Sequence, residues 1–184
     1  MLAAMLALLS SCAKLAPPQP PDNVVDTTSH NFTWQVTALG DGLASSMLND
    51  VAIVNDTLVY AVGAIYLKDS TEKENPLPYN VAIWNGNVWK TIQMSVDDLG
   101  NIIAPPLYSV LGFSSSDIWL SDGVPIHGDG KSWIEYNLYG MGILTYSDGH
   151  LTKMWGLSSS DLYFVGSLGT IVHYNGSAYQ KLQS

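Results

Sequence analysis

The 184-residue chain has a single cysteine, Cys12, and only seven Lys and Arg against sixteen Asp and Glu. One cysteine excludes an intrachain disulfide and any cysteine-built zinc site. The shortage of basic residues and a net charge of −9 exclude the clustered Lys and Arg that phosphate binding needs, so no nucleic-acid partner is expected. Charged residues make up 12% of the chain, about half the usual share, yet 47% is hydrophobic, which excludes a disordered polyelectrolyte. No apolar run approaches the roughly 20 residues needed to span a bilayer as a helix. A Gly-rich phosphate loop, a nucleophile elbow and a His-Glu-x-x-His motif are all missing. Accordingly no catalytic residue, cofactor or metal ligand is assigned.

What is present begins with an apolar N-terminus. Met1 to Leu9 is an almost unbroken run of Met, Leu and Ala, followed by Leu9-Ser10-Ser11-Cys12 and the Pro-rich stretch Ala13 to Asp22. A short apolar run with small residues after it fits a secretory signal. Leu-Ser-Ser-Cys resembles the bacterial lipobox, in which the cysteine becomes the lipidated first residue of the mature protein. Lipid on Cys12 would attach the chain to a membrane through buried CH₂ groups. No Lys or Arg precedes the run, a departure from the usual positive start. Pro17-Pro18-Gln19-Pro20-Pro21 then reads as a stiff extended spacer. The expected organisation is a lipoprotein-type signal segment over 1–12, a spacer over 13–27 and a folded domain over 28–184. The expected location is a bacterial cell envelope, at the outer membrane or cell surface.

The folded part repeats. Leu111-Gly112-Phe113-Ser114-Ser115-Ser116-Asp117-Ile118-Trp119 aligns with Trp155-Gly156-Leu157-Ser158-Ser159-Ser160-Asp161-Leu162-Tyr163, and Ile126 to Trp133 aligns with Val172 to Tyr179. The first pair is offset by 44 residues, since 156 − 112 and 161 − 117 agree. A looser copy runs from Asp50 to Gly63 and resumes, after an insertion, at Val81 to Trp89. Each copy reads as four short strands, and the last predicts strands over 151–157, 162–165, 170–174 and 178–182. Asn85-Gly86, Asp129-Gly130, Asp148-Gly149 and Asn175-Gly176 fall between apolar runs, and such dipeptides suit type I′ hairpins. Ser-Ser-Ser-Asp is a turn, its side chains bonding to their own backbone, and not a serine cluster with chemistry. Four strands every 40–45 residues or so is the signature of propeller blades. The fold class is therefore all-β: propeller-like four-stranded blades, about three of them and incomplete, with Phe32 to Ala38 as a stray strand of another.

The segments Thr28 to Trp34, Leu48 to Ile53 and Trp155 to Tyr163, with the Asn175-Gly176 hairpin, resemble secreted propeller-like repeat proteins of Bacteroidetes and Ignavibacteria. Some of these carry a glucosyltransferase label. The resemblance spans residues 28–184 and implies a β-propeller and an exported location, with no catalytic motif to carry over.

His127 and His173 occupy equivalent repeat positions and are expected to be structural, pairing with a turn carboxylate. Asp97-Asp98 and the stretch Asp69 to Glu74 read as solvated loops, since paired carboxylates serve glycoside hydrolysis only at a set separation. Repeat-conforming Trp is expected between blades. The insertion Tyr66 to Tyr79 breaks the repeat, and insertions of this kind often carry binding, so Tyr66 and Tyr79 are the candidate ligand contacts. The function expected is a lipid-anchored, non-enzymatic binding or adhesion protein for a glycan or protein ligand. The alternatives are a glycan-active enzyme with carboxylates from different blades, or a structural fragment of a longer secreted protein.

Overall fold

A computed structural model describes residues 31–183 apart from 43–44, 69–70, 72, 74–76 and 99. The signal segment and the spacer, Cys12 included, lie outside the described residues. The chain divides into two units, Met1–Thr37 and Ala38–Ser184. In the first, the described residues 31–37 form no strand, contrary to the stray strand expected there, and Phe32 meets Trp34 edge-on. The period-2 pattern of this segment is strand-like, but a strand needs a ladder partner.

The second unit is all-β, with no α-helix among the described residues. β1 (Met47–Asn55), β2 (Leu58–Ile65), β3 (Tyr79–Trp84) and β4 (Trp89–Ile92) form a four-stranded antiparallel meander. A two-stranded hairpin follows, β5 (Val96–Asp98) and β6 (Asn101–Ile103). It holds Asp97, which sequence placed in a solvated loop, and Asp97 closes the hairpin turn by accepting from the Gly100 N–H at 2.6 Å. β7 (Ser109–Ser114), β8 (Asp117–Ser121), β9 (Pro125–Gly128) and β10 (Trp133–Glu135) form the second meander. β11 (Leu151–Ser158), β12 (Asp161–Gly166), β13 (Ile171–Tyr174) and β14 (Tyr179–Lys181) form the third.

The third and fourth strands of each meander are joined by the same hairpin. Asn85, Asp129 and Asn175 each accept two backbone N–H groups, from the residues two and three further on, through their own Oδ1. The following glycines, Gly86, Gly130 and Gly176, have φ of 91°, 82° and 89°. Positive φ falls on glycine alone, so these are side-chain-closed turns and not the type I′ turns expected, which need two such residues. Asp148-Gly149 is not a hairpin at all. It ends a 3-10 turn, Tyr146–Asp148, leading into β11.

Two apolar layers separate the three meanders. Ala52, Val54, Leu58, Tyr60, Val62 and Ile83 of the first blade pack with Val110, Ile118, Leu120 and Ile126 of the second. Leu111, Phe113, Trp119 and Tyr136 of the second face Met154, Leu162, Phe164 and Val172 of the third. Alternation along each strand thus buries one set of side chains on either side of a blade, as stacked sheets require.

Candidate functional site

The first strands of the three blades meet along a seam. Asp50 of β1 accepts hydrogen bonds from Ser109 Oγ at 2.7 Å and the Val110 N–H at 3.2 Å, both on β7, and pairs with Lys153 of β11 at 3.2 Å. Lys153 also donates to the Asn49 carbonyl, and the Met154 N–H donates to Ser109 Oγ. Partial burial works to raise the Asp50 pKa, but the bonds from Ser109, Val110 and Lys153 outweigh it, and the carboxyl lies below its ordinary value. A carboxylate neutralised in this way fastens blades together; it offers nothing to a substrate.

The repeat-equivalent histidines do pair with turn carboxylates. His127 Nε2 lies 2.8 Å from Asp117 Oδ1, and His173 Nε2 lies 2.8 Å from Asp161 Oδ1. Trp119 stacks on His127 with centroids 4.3 Å apart, and Tyr163 stacks on His173 at 4.4 Å. The register makes each stacked pair cross-strand partners, Trp119↔His127 and Tyr163↔His173. Ser159, from the linker that opens the third blade's hairpin, reaches across to the second. It donates to Asp117 Oδ1 at 2.7 Å and accepts from Trp119 Nε1 at 2.8 Å. Ser, His and Asp are thus adjacent, but the carboxylate stands between the other two. No imidazole faces the hydroxyl, so this is not a nucleophile with its base.

A cleft of about 740 Å³ lies between the β8–β9 turn and the 136–150 connection. Its lining includes Asp122, Glu135, Asn137, Tyr139, Tyr146 and His150. The connection is shaped by its own backbone. Asn137 Oδ1 accepts the Gly140 N–H, and Leu138, fully buried, accepts the Ile143 and Leu144 N–H groups at its carbonyl. Asp148 accepts from the Thr145 N–H at 2.7 Å and from Thr145 Oγ1 at 2.9 Å, and Lys181 of β14 bonds its other oxygen. The Lys181 bond and the Thr145 bonds hold the Asp148 carboxyl at a pKa of about 2.

With that loop fixed, Tyr139 donates to the Gly149 carbonyl at 2.6 Å, and Tyr146 stacks on it at 5.5 Å with planes 15° apart. Burial first, and then the Asp148 charge, raise the Tyr139 hydroxyl's pKa, which keeps it a donor. Tyr146 itself is 94% exposed. On the opposite wall Gly123 has φ 129°, and a Cβ there would lie 2.5 Å from His150 Nδ1. The His150 ring therefore rests on a glycine that no other residue could replace without moving it. The result is an aromatic pair lining the cleft, on a loop anchored at both ends.

Among solved structures, the chain is similar to one described as YCF48 bound to D1 peptide, with a TM-score of 0.52 and 14% identity. That protein is a β-propeller. The fold here is propeller-like. The similarity covers 74% of this chain and 40% of that one, so the chain spans well under half the neighbour's length. No family model and no curated protein matches the sequence.

Of the residues singled out from sequence, Tyr66 and Tyr79 sit where β2 and β3 diverge, away from the cleft. Tyr66 is half-buried and tied through its backbone, its N–H to Ser46 Oγ and its carbonyl to the Asp41 N–H. Tyr79, opposite Ile65 in the ladder, packs with Ala61, Ile65 and Ala82. No group of three or more His, Cys, Asp or Glu able to hold a metal is gathered among the described residues. Sequence reading missed the cleft. Its signal was there in Tyr136 to Tyr146, a Tyr- and Gly-rich connection too long for a plain link between blades.

Proposed function

We propose that this is an exported, non-enzymatic binding protein, anchored to a bacterial envelope by lipid on Cys12, that takes a glycan or peptide ligand at the Tyr139–Tyr146 cleft. It would belong with the secreted propeller-like repeat proteins its sequence resembles. The carrying observation is the stacked tyrosine pair with one ring fully offered to solvent. Flat aromatic faces bind sugar rings and peptide side chains at low conformational cost. A structural neighbour described as bound to a peptide supports the same use of the fold. The insertion carrying Tyr66 and Tyr79 is a second proposed contact surface. Glycan and peptide arrays probed with the Cys12→Ser chain test the reading: a hit lost in Tyr146→Ala supports the cleft, and silence on both arrays contradicts it. Labelling with radioactive palmitate tests the anchor, which fails as an idea if label persists in Cys12→Ser.

One observation favours a second reading, a glycan-active enzyme. Asp122 and Glu135 line the same cleft, though both belong to the second blade. Release of reducing sugar from a bound glycan, lost in both Asp122→Asn and Glu135→Gln, would establish it. Binding without turnover would remove it.

A further inference from the structure

The two blade joints show what a blade's outward face requires. On the second blade that face carries Leu111, Phe113, Trp119 and the His127–Asp117 pair, and the third blade covers it, leaving Trp119 only 1% exposed. The repeat places Trp155, Leu157, Tyr163 and the His173–Asp161 pair at the same positions of the third blade. There the apolar members are bare: Trp155 is 62% and Leu157 77% exposed, and Tyr163 and Val165 are exposed beside them. The inner half of the covered joint is thus reproduced on the third blade without its cover. Its polar part is reproduced too, since Tyr163 stacks on His173, and His173 bonds Asp161, in the geometry of Trp119, His127 and Asp117.

We propose that the outward face of the third blade docks a further blade of the same repeat, in tandem at the same step along the chain. That blade carries a Ser or Thr where the third carries Ser159, and apolar residues where the third carries Met154, Leu162 and Phe164. The hydroxyl is required because Asp161, like Asp117, has its histidine on one side and takes a donor from the neighbouring blade on the other. This requirement discriminates between occupants. The other exposed blade face in the unit belongs to the first blade, with Val51 and Ile53. A second copy offering that face would bring Asp56, the register equivalent of Ser115 and Ser159, against the Asp161 carboxylate. Two facing carboxylates repel, whereas a hydroxyl donates. The blade in tandem therefore fits the face and a second copy's first blade does not.

The test grafts a copy of residues 136–183 directly after Lys181, so that a duplicate Ser159 meets Asp161. Hydroxyl-radical footprinting by mass spectrometry reads Trp155 and Leu157 individually. The proposal expects their oxidation to fall about tenfold and the urea midpoint to rise, with both effects lost when the grafted Ser159 is replaced by Asp. Unchanged oxidation in a graft with full strand content by circular dichroism overturns it. The ungrafted chain gives an independent check. There Trp155→Ser with Leu157→Ser should leave the urea midpoint unmoved, because none of the described residues covers the face. A large drop overturns the proposal, as does a dimer by light scattering in which Trp155 is protected.

Discussion

Ser159 Oγ, on the third blade, stands 2.7 Å from Asp117 Oδ1 on the second, and through that one hydroxyl the two sheets share a hydrogen-bonded chain from His127 to the Trp119 indole. Removing it leaves a part-buried indole N–H without its acceptor. Ser159→Ala should cost about 1–3 kcal/mol, the range for orphaning a buried donor. Ser115→Ala, at the equivalent position of the second blade, should cost less than about 0.5 kcal/mol, because the first blade carries Leu58 where the second carries Asp117. Urea denaturation of both variants checks this, and equal losses would refute the latch.

Trp119 carries the apolar part of the same joint, touching His127, Tyr136, Phe164 and Tyr174. Trp119→Ala should cost about 3–5 kcal/mol. Trp155→Ala, in the same repeat position on the third blade, should change stability by no more than about 0.5 kcal/mol in this chain.

Tyr179 lies in that layer with its hydroxyl buried and unbonded, and burial, with Tyr136 and Tyr174 nearby, raises its pKa. Deleting an unsatisfied polar atom removes a desolvation cost. Tyr179→Phe should therefore be neutral or stabilising by up to about 1 kcal/mol, readable as a raised melting temperature. A clear loss would mean that the hydroxyl has a partner in solution.

Acid should loosen the cleft. The Asp148 carboxyl titrates near 2 when folded, against 3.8 for the ordinary value. A depressed folded pKa means that its stabilisation is present above about 3.8 and is lost as pH falls towards 2. Asp50, also lowered, acts in the same direction. Asp148→Asn should flatten the acid limb of the stability curve between those two values, and an unchanged limb would contradict the Lys181–Asp148 clamp.

The repeat, the four-strand blades and the His–carboxylate pairs could be read from sequence because each recurs, and recurrence at a fixed offset ties a residue to a structural position. Gly-x-Ser-Ser-Ser-Asp behaved as the turn it resembles, with Ser114 and Ser158 Oγ accepting the Ser116 and Ser160 N–H groups. Ser159 hid its second role because its partner, Asp117, sits 42 residues away on another sheet. Type I′ turns were misread because Asn and Asp can close a turn with the side chain in place of backbone φ. The cleft occurs once, in a connection between blades, so no repeat marks it; only packing of Leu138 and the Lys181–Asp148 clamp place Tyr139 under Tyr146.

The most direct test of a binding role at this cleft is calorimetric titration of the strongest array ligand into three proteins: the Cys12→Ser chain, the same chain with Tyr146→Ala, and the same chain with Val88→Ala, an exposed apolar residue of the β3–β4 hairpin. Tyr146 is almost wholly exposed, so its removal leaves the fold intact, and losing an aromatic contact of about 1.4 kcal/mol corresponds to tenfold in affinity. The expected result is at least a tenfold weaker Kd for Tyr146→Ala with Val88→Ala close to the parent. Equal affinity for the parent and Tyr146→Ala would contradict the cleft as the binding site.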